Sequence, residues 1–194
     1  MNRDLTIIYQ HGGREYIDAV CREFLFDSLY PYQCDYIYND CTNTTIGKGF
    51  NELVNQVKTK YVIWTPDDFV FFPNGDWVNK AINILKNRPD VGFIDLRKEK
   101  DSESPWSIDS REFIGNQSFF ITHSWDNRGF NLTPFMMRTE DLKKILPLDE
   151  NDTTGNIAEA SGQQRFKTLG LKTVRLDIPF YGVCFHLGWG RSRY

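Results

Sequence analysis

No apolar run in the chain approaches the roughly 20 residues that a membrane-crossing helix requires, and the opening MNRDLTIIYQHGG holds too short an apolar stretch for an export signal. A cytoplasmic protein without a membrane segment is the expectation. Cysteine is scarce and scattered, for Cys21, Cys34, Cys41 and Cys184 show no CxxC spacing. Reduced structural thiols are therefore favoured over a zinc site or a disulfide framework. Basic charge is not in excess either. A net charge of -3 supplies no field for a nucleic-acid backbone, although a local basic cluster suffices for one pyrophosphate. A P-loop is absent, because Lys48, between Gly47 and Gly49, lacks the required Gly-Lys-Ser/Thr arrangement; it reads as a solvated lysine. Internal repeats and low-complexity tracts are also missing. Asn43, Asn116, Asn131 and Asn151 each open an N-x-S/T triplet, and without an export signal chance accounts for them.

What is present suits one domain. The 194 residues, 40% apolar and 25% charged, suffice for a sizeable core, and the 15% aromatic content is enough to line a pocket as well. Leu5 to Gln10 reads as a strand ending at Gly12-Gly13, and Tyr16 to Leu29 as a helix with its apolar face at Ile17, Val20, Phe24 and Leu25. Tyr36 to Tyr38 is a second strand and Ile46 to Val57 a second helix. Tyr61 to Trp64 is a third strand, broken at Thr65-Pro66. Such alternation predicts a mainly parallel sheet flanked by helices, with ligands beyond the carboxyl ends of the strands.

Further along, Asp76 to Asn87 reads as a helix, Val91 to Leu96 as a strand and the polar Lys98 to Asp109 as a mobile loop. Ser118 to Thr122 and Pro134 to Met137 are strand-like, which makes the second half mixed. Thr139 is the expected N-cap of a helix that Pro147 ends; Asn156 to Leu169 is another helix, and Thr173 to Leu176 and Tyr181 to Phe185 are closing strands.

Two adjacent carboxylates, Asp67 and Asp68, follow the third strand, where a cation can be held against a pyrophosphate. An ordinary acidic turn after Pro66 is the alternative. Over nearly its whole length the chain resembles the GT-A glycosyltransferases, particularly those of family 2, in the order of IIYQHGGREYI, YNDCTNTTIGKGFNELVNQVKTKYVIWTPDD, NLTPFMMRTEDLKKI and AEASGQQRFKTLGLKTV. The resemblance implies a single domain over 1–194 with a Rossmann-like mixed sheet, a nucleotide-binding half at about 1–97 and an acceptor-binding half at about 98–194.

It also implies roles. Gln10, His11 and Arg14 border the nucleotide, Asp40 contacts uracil or ribose, and Asn51 lies near the same pocket. Locally, Asp40 reads equally as a turn-forming Asx residue and Asn51 as a helix cap or surface amide. Thr65 replaces the first acid of the family's Asp-x-Asp motif, which puts Asp67 first on Mn2+ or Mg2+ with Asp68 as helper and His186 as a further ligand. A partly buried structural histidine is the other reading of His186. Glu159 stands where the family places its catalytic base, with Ala158 replacing the neighbouring acid; an exposed helical glutamate is the plain alternative. The glycine-hinged tail places Arg191 and Arg193 to cover a pyrophosphate and Trp189 to cover a sugar, unless it is a frayed terminus. Trp106, Trp125 and Phe130 suit acceptor-sugar stacking or core packing.

The implied activity is metal-dependent transfer of a sugar from a nucleoside diphosphate, most simply a UDP-sugar, to a glycan or other hydroxyl acceptor, with inversion. A retaining transferase, a sugar-phosphate nucleotidyltransferase and a non-catalytic nucleotide- or glycan-binding module are the alternatives the residues leave open.

Overall fold

The run LTIIYQH, rich in β-branched and aromatic residues, is buried at every position and forms β1 (Leu5–His11). The chain turns at Gly13, where φ is 88° and a side chain would strain the backbone, and enters α1 (Glu15–Leu29). There follow β2 (Asp35–Asp40), α2 (Ile46–Gln56), β3 (Tyr61–Pro66), the short β4 (Phe69–Phe71), α3 (Trp77–Asn87) and β5 (Val91–Asp95). A hairpin of β6 (Trp106–Ile114) and β7 (Gln117–Ser124) leads to β8 (Phe135–Arg138), α4 (Thr139–Lys144), α5 (Asn156–Thr168), β9 (Lys172–Leu176) and β10 (Cys184–His186). This computed structural model describes residues 3–40, 43–72, 76–97, 106–124, 129–151, 155–178 and 183–187.

Eight strands form one sheet in the order β2-β1-β3-β8-β5-β9-β7-β6, and β10 pairs with β4 in a separate two-stranded ribbon. β1 is parallel to both β2 and β3. β8 runs antiparallel to β3 and β5, β5 is parallel to β9, and β7 is antiparallel to β9 and β6. The architecture is thus a mixed Rossmann-like α/β sheet flanked by helices.

Alternate residues of β1 serve the two faces. Leu5, Ile7 and Tyr9 pack with α1 and α3, while Ile8 joins α2, α4 and α5 around Phe50, Trp64, Phe93, Phe135 and Phe166. Phe130 is fully buried in this second cluster and packs on Phe50, Phe93 and Phe135, which assigns it to the core rather than to a sugar platform. Each such ring contributes about 1.5–3 kcal/mol by burial.

Several elements depart from the expectation. β3 continues through Pro66, which pairs with Gln10 at the strand's last position, where no further ladder donor is needed. β4 follows Asp68 after no more than a turn. Within the supposed loop at 98–109, residues 106–109 belong to β6. Arg138, not Thr139, is the N-cap of α4, and that helix stops at Lys144, before Pro147. α1 is rotated from its expected face: Val20 and Phe24 are exposed, and Asp18, Cys21, Leu25, Ser28 and Leu29 are buried. β10 ends at His186, and residues 181 and 182 of the expected closing strand lie outside the described residues.

Gly47 and Asn51 lock α2 to the connection between α4 and α5. A Cβ at Gly47 would lie 1.9 Å from the backbone carbonyl oxygen of Asp149. The buried Asn51 amide donates to the Leu148 carbonyl at 2.9 Å and to Glu150 Oε1 at 2.7 Å, and its oxygen accepts the Leu148 N–H at 2.8 Å. It is therefore neither a cap nor a surface amide. Gly47→Ala is expected to destabilise the protein by about 2–3 kcal/mol through forced backbone separation, seen as a lower urea midpoint with an unchanged slope.

Candidate active site

The carboxyl ends of β1 and β3 carry the loops Gly12–Arg14 and Asp67–Asp68, and the two loops are joined by hydrogen bonds. Asp67, 1% exposed, accepts the Gly12 amide on Oδ2 at 2.7 Å. His11 Nδ1 stands 3.0 Å from the same oxygen and 3.4 Å from Asp18 Oδ1, although neither approach has the alignment of a hydrogen bond. Arg14 Nη1 donates to Asp68 Oδ2 at 2.5 Å, and its Nη2 lies 3.8 Å from Asp67 Oδ1.

His186 arrives from the far end of the chain. β10 pairs antiparallel with β4, placing His186 opposite Phe69, and the Leu187 N–H donates to the Asp68 carbonyl at 2.9 Å. Leu96 anchors the same strand by accepting the Val183 and Cys184 amides at 3.2 and 3.1 Å. His186 Nε2 then sits 2.7 Å from Asp68 Oδ2, its ring tilted against Phe69. Burial alone would raise the Asp68 carboxyl, but the hydrogen bond from His186 and the charges of His186 and Arg14 outweigh it and hold Asp68 below its ordinary value.

The cluster holds buried polar atoms that lack a hydrogen-bond partner: Gln10 Nε2, His11 Nδ1, Asp18 Oδ1 and Asp68 Oδ1. Buried polar groups are normally satisfied, so this concentration at the strand ends marks a place built for further donors and acceptors. Among the described residues, however, no three His, Cys, Asp or Glu side chains converge into a ready-made metal cage.

Asp40 ends β2, pairs in register with His11 and is exposed. Asn51 is engaged by Leu148 and Glu150, as described above. Glu159, half-buried in the first turn of α5, accepts the Leu132 amide on Oε2 at 3.1 Å and the Gln163 amide group on Oε1 at 3.0 Å. Its charge also bears on Arg97, which lies with Arg175 against the fully buried Asp95 at the ends of β5 and β9. Burial would raise Asp95, but the two guanidinium groups hold its carboxyl well below the usual range. Trp125, Trp189, Arg191 and Arg193 lie outside the described residues, as does the side chain of Trp106.

Three neighbours had escaped notice. Asp18 is buried beside His11 and takes Arg22 at 3.3 Å on Oδ2; Tyr38 stacks on Tyr9 and His11, with the Arg22 guanidinium 5.6 Å from its ring centre. A charged residue on the inner side of α1 is the one signal that pointed to them, and the competing apolar stripe obscured it.

Solved structures share this fold. The chain is similar to the mannosyltransferase PcManGT from Pyrobaculum calidifontis, solved with GDP-Man and Mn2+, at a TM-score of 0.64 and 11% identity over 97% of this chain and 58% of that one. It is similar to S. aureus TarS 1-349 with UDP-GlcNAc at 0.63 and 12%, covering 93% and 57%, and to the catalytic domain of Drosophila beta1,4galactosyltransferase 7 with xylobiose at 0.61 and 11%, covering 96% and 72%. The chain thus spans under two thirds of the length of the first two. By sequence, no family model and no curated protein matches it. Among the described residues no helix is long and apolar enough to cross a membrane. The fold is that of the GT-A-type glycosyltransferases.

The depressed Asp68 carboxyl fixes a pH dependence. Its unfolded value is about 3.9 and its folded value is lower, so its stabilisation is fully present above about pH 5 and is lost as pH falls through the folded value. The stability advantage of wild type over Asp68→Asn, measured by urea unfolding, should be greatest above pH 5 and shrink steadily in acid; parallel curves would contradict the pairing.

Proposed function

We propose that the chain is a metal-dependent glycosyltransferase that moves a sugar from a UDP-sugar to a hydroxyl acceptor. The observation that carries this reading is the meeting of Asp68, His186 and the Asp67-bound Gly12 loop at the carboxyl ends of parallel β1 and β3, in a sheet of the GT-A type. A diphosphate brought to two adjacent carboxylates needs a cation between them.

The donor set fits Mn2+ or Mg2+. Asp68 offers a buried oxygen, Oδ1, without a hydrogen bond, and His186 adds an imidazole whose Nε2 lies 2.7 Å from Asp68 Oδ2. Asp67 is turned inward onto Gly12 and His11, so in this reading Asp68 and His186 hold the ion while Asp67 positions the loop. Phosphate oxygens of the donor would supply the further ligands that so few protein groups leave open. When bound, the metal neutralises charge on the departing diphosphate.

The chain's own residues supply the rest. Gln10 presents an unpaired buried amide group that suits a uracil carbonyl, and Asp40 a carboxylate that suits a ribose hydroxyl or base N–H. Glu159 takes the proton from the acceptor hydroxyl as it attacks the anomeric carbon; the Leu132 and Gln163 donors keep its carboxylate oriented. In-line attack then inverts the anomeric centre. Arg191 and Arg193 would meet the diphosphate, and Trp125 and Trp189 the sugars.

Calorimetry with UDP, GDP and CDP should find UDP bound tightly only in the presence of Mn2+, with that binding lost in Asp68→Ala. In UDP release assays with a sugar-donor panel, Glu159→Gln should lower turnover about 10²–10⁴-fold while leaving UDP affinity unchanged. If no diphosphate binds with or without metal, the proposal is wrong.

A further inference from the structure

We infer that Arg14 occupies the cation's place in the free protein, and that arrival of a divalent ion transfers its guanidinium from Asp68 to the diphosphate. The inference rests on the reading of the strand ends as a metal and diphosphate site. Its geometry is direct. Arg14 Nη1 lies 2.5 Å from Asp68 Oδ2, the same oxygen that His186 Nε2 approaches at 2.7 Å, and Nη2 reaches toward Asp67 Oδ1 at 3.8 Å. One guanidinium therefore spans both carboxylates of the loop, as a bound ion would.

The two occupants exclude one another. A divalent ion on Asp68 Oδ1 and a guanidinium hydrogen-bonded to Oδ2 would be positive charges a few ångströms apart on one carboxylate, repelling each other and each weakening the other's hold. Without either, the nearly buried Asp67 and Asp68 carboxylates would keep only the His11 and His186 imidazoles beside them, at a cost that Arg14 offsets. In the free state the carboxylates raise the Arg14 pKa against the opposing effect of burial.

Arg14 is also placed to leave. Its side chain is 43% exposed, and it stands at the N-cap of α1 without a side-chain capping bond, directly after the left-handed Gly13. Its planar fork matches phosphate oxygens bidentately, so the exchange trades one anion for another. The exchange couples the two ligands: the ion alone must displace Arg14 without compensation, whereas nucleotide accepts the freed guanidinium. Metal should bind weakly to the free protein and more tightly with UDP, and the reciprocal must hold.

The test is Mn2+ binding followed by the electron paramagnetic resonance of the free ion, with and without saturating UDP, on wild type, Arg14→Gln, Lys80→Gln and Asp68→Asn. Without nucleotide, Arg14→Gln should bind Mn2+ roughly three- to tenfold more tightly than wild type. With UDP that gain should vanish, so the enhancement of Mn2+ affinity by UDP shrinks in the variant. Lys80→Gln removes the same charge from the Asp76 pair on α3 and should match wild type. Equal Mn2+ affinity for Arg14→Gln and wild type, or an equal gain in Lys80→Gln, overturns the inference. If Asp68→Asn still abolishes binding in that case, the metal-site reading stands without it. If wild type binds no Mn2+ even with UDP, both fall.

Discussion

The hydrogen bond from the Gly12 amide to Asp67 Oδ2 ties the loop after β1 to the loop after β3, and the other groups at the strand ends take their places from it. Asp67 is held 1% exposed, and Asp68, also buried, is the carboxylate that Arg14 and His186 meet. β4 then starts at once, and its antiparallel partner β10 carries His186 back across more than a hundred residues of sequence. The buried imidazole of His11 and the carboxylate of Asp18 lie behind this tie and connect it to α1. Asp67, the first metal candidate in the sequence, accepts the Gly12 amide on Oδ2, and Asp68 meets Arg14 and His186.

The parallel core was legible because β1, β2 and β3 are short apolar runs separated by helices with clear periodicity, and the paired aspartates mark the end of the third. The face of α1 was not. Ile17, Val20 and Phe24 form the more apolar stripe, yet Asp18 faces inward because His11 and Arg22 pair with its carboxylate. β4 was hidden because three residues are too few for periodicity, and β6 because its start is polar. The convergence of His186 on Asp68 depends on the β4–β10 pairing, which no local pattern announces. Asn51 bonds Leu148 and Glu150 nearly a hundred residues away, a contact that no local pattern signals.

Fold similarity at 11–12% identity means that the sheet and its strand ends are shared while nearly every side chain differs. The chemistry must therefore be argued from this chain's own residues. Here the strand ends gather three buried carboxylates, Asp18, Asp67 and Asp68, with Arg14, Arg22 and two imidazoles around them. In the proposed reading a divalent ion offsets the donor's charge beside these carboxylates.

The most direct test is paramagnetic broadening of backbone amide resonances by Mn2+ in the presence of UDP. The account predicts that the amides of Gly12, Asp68 and Leu187 broaden first, because all three surround the Asp68 carboxylate and its partner loop. Sharp resonances at these positions, with broadening elsewhere or nowhere, would contradict it.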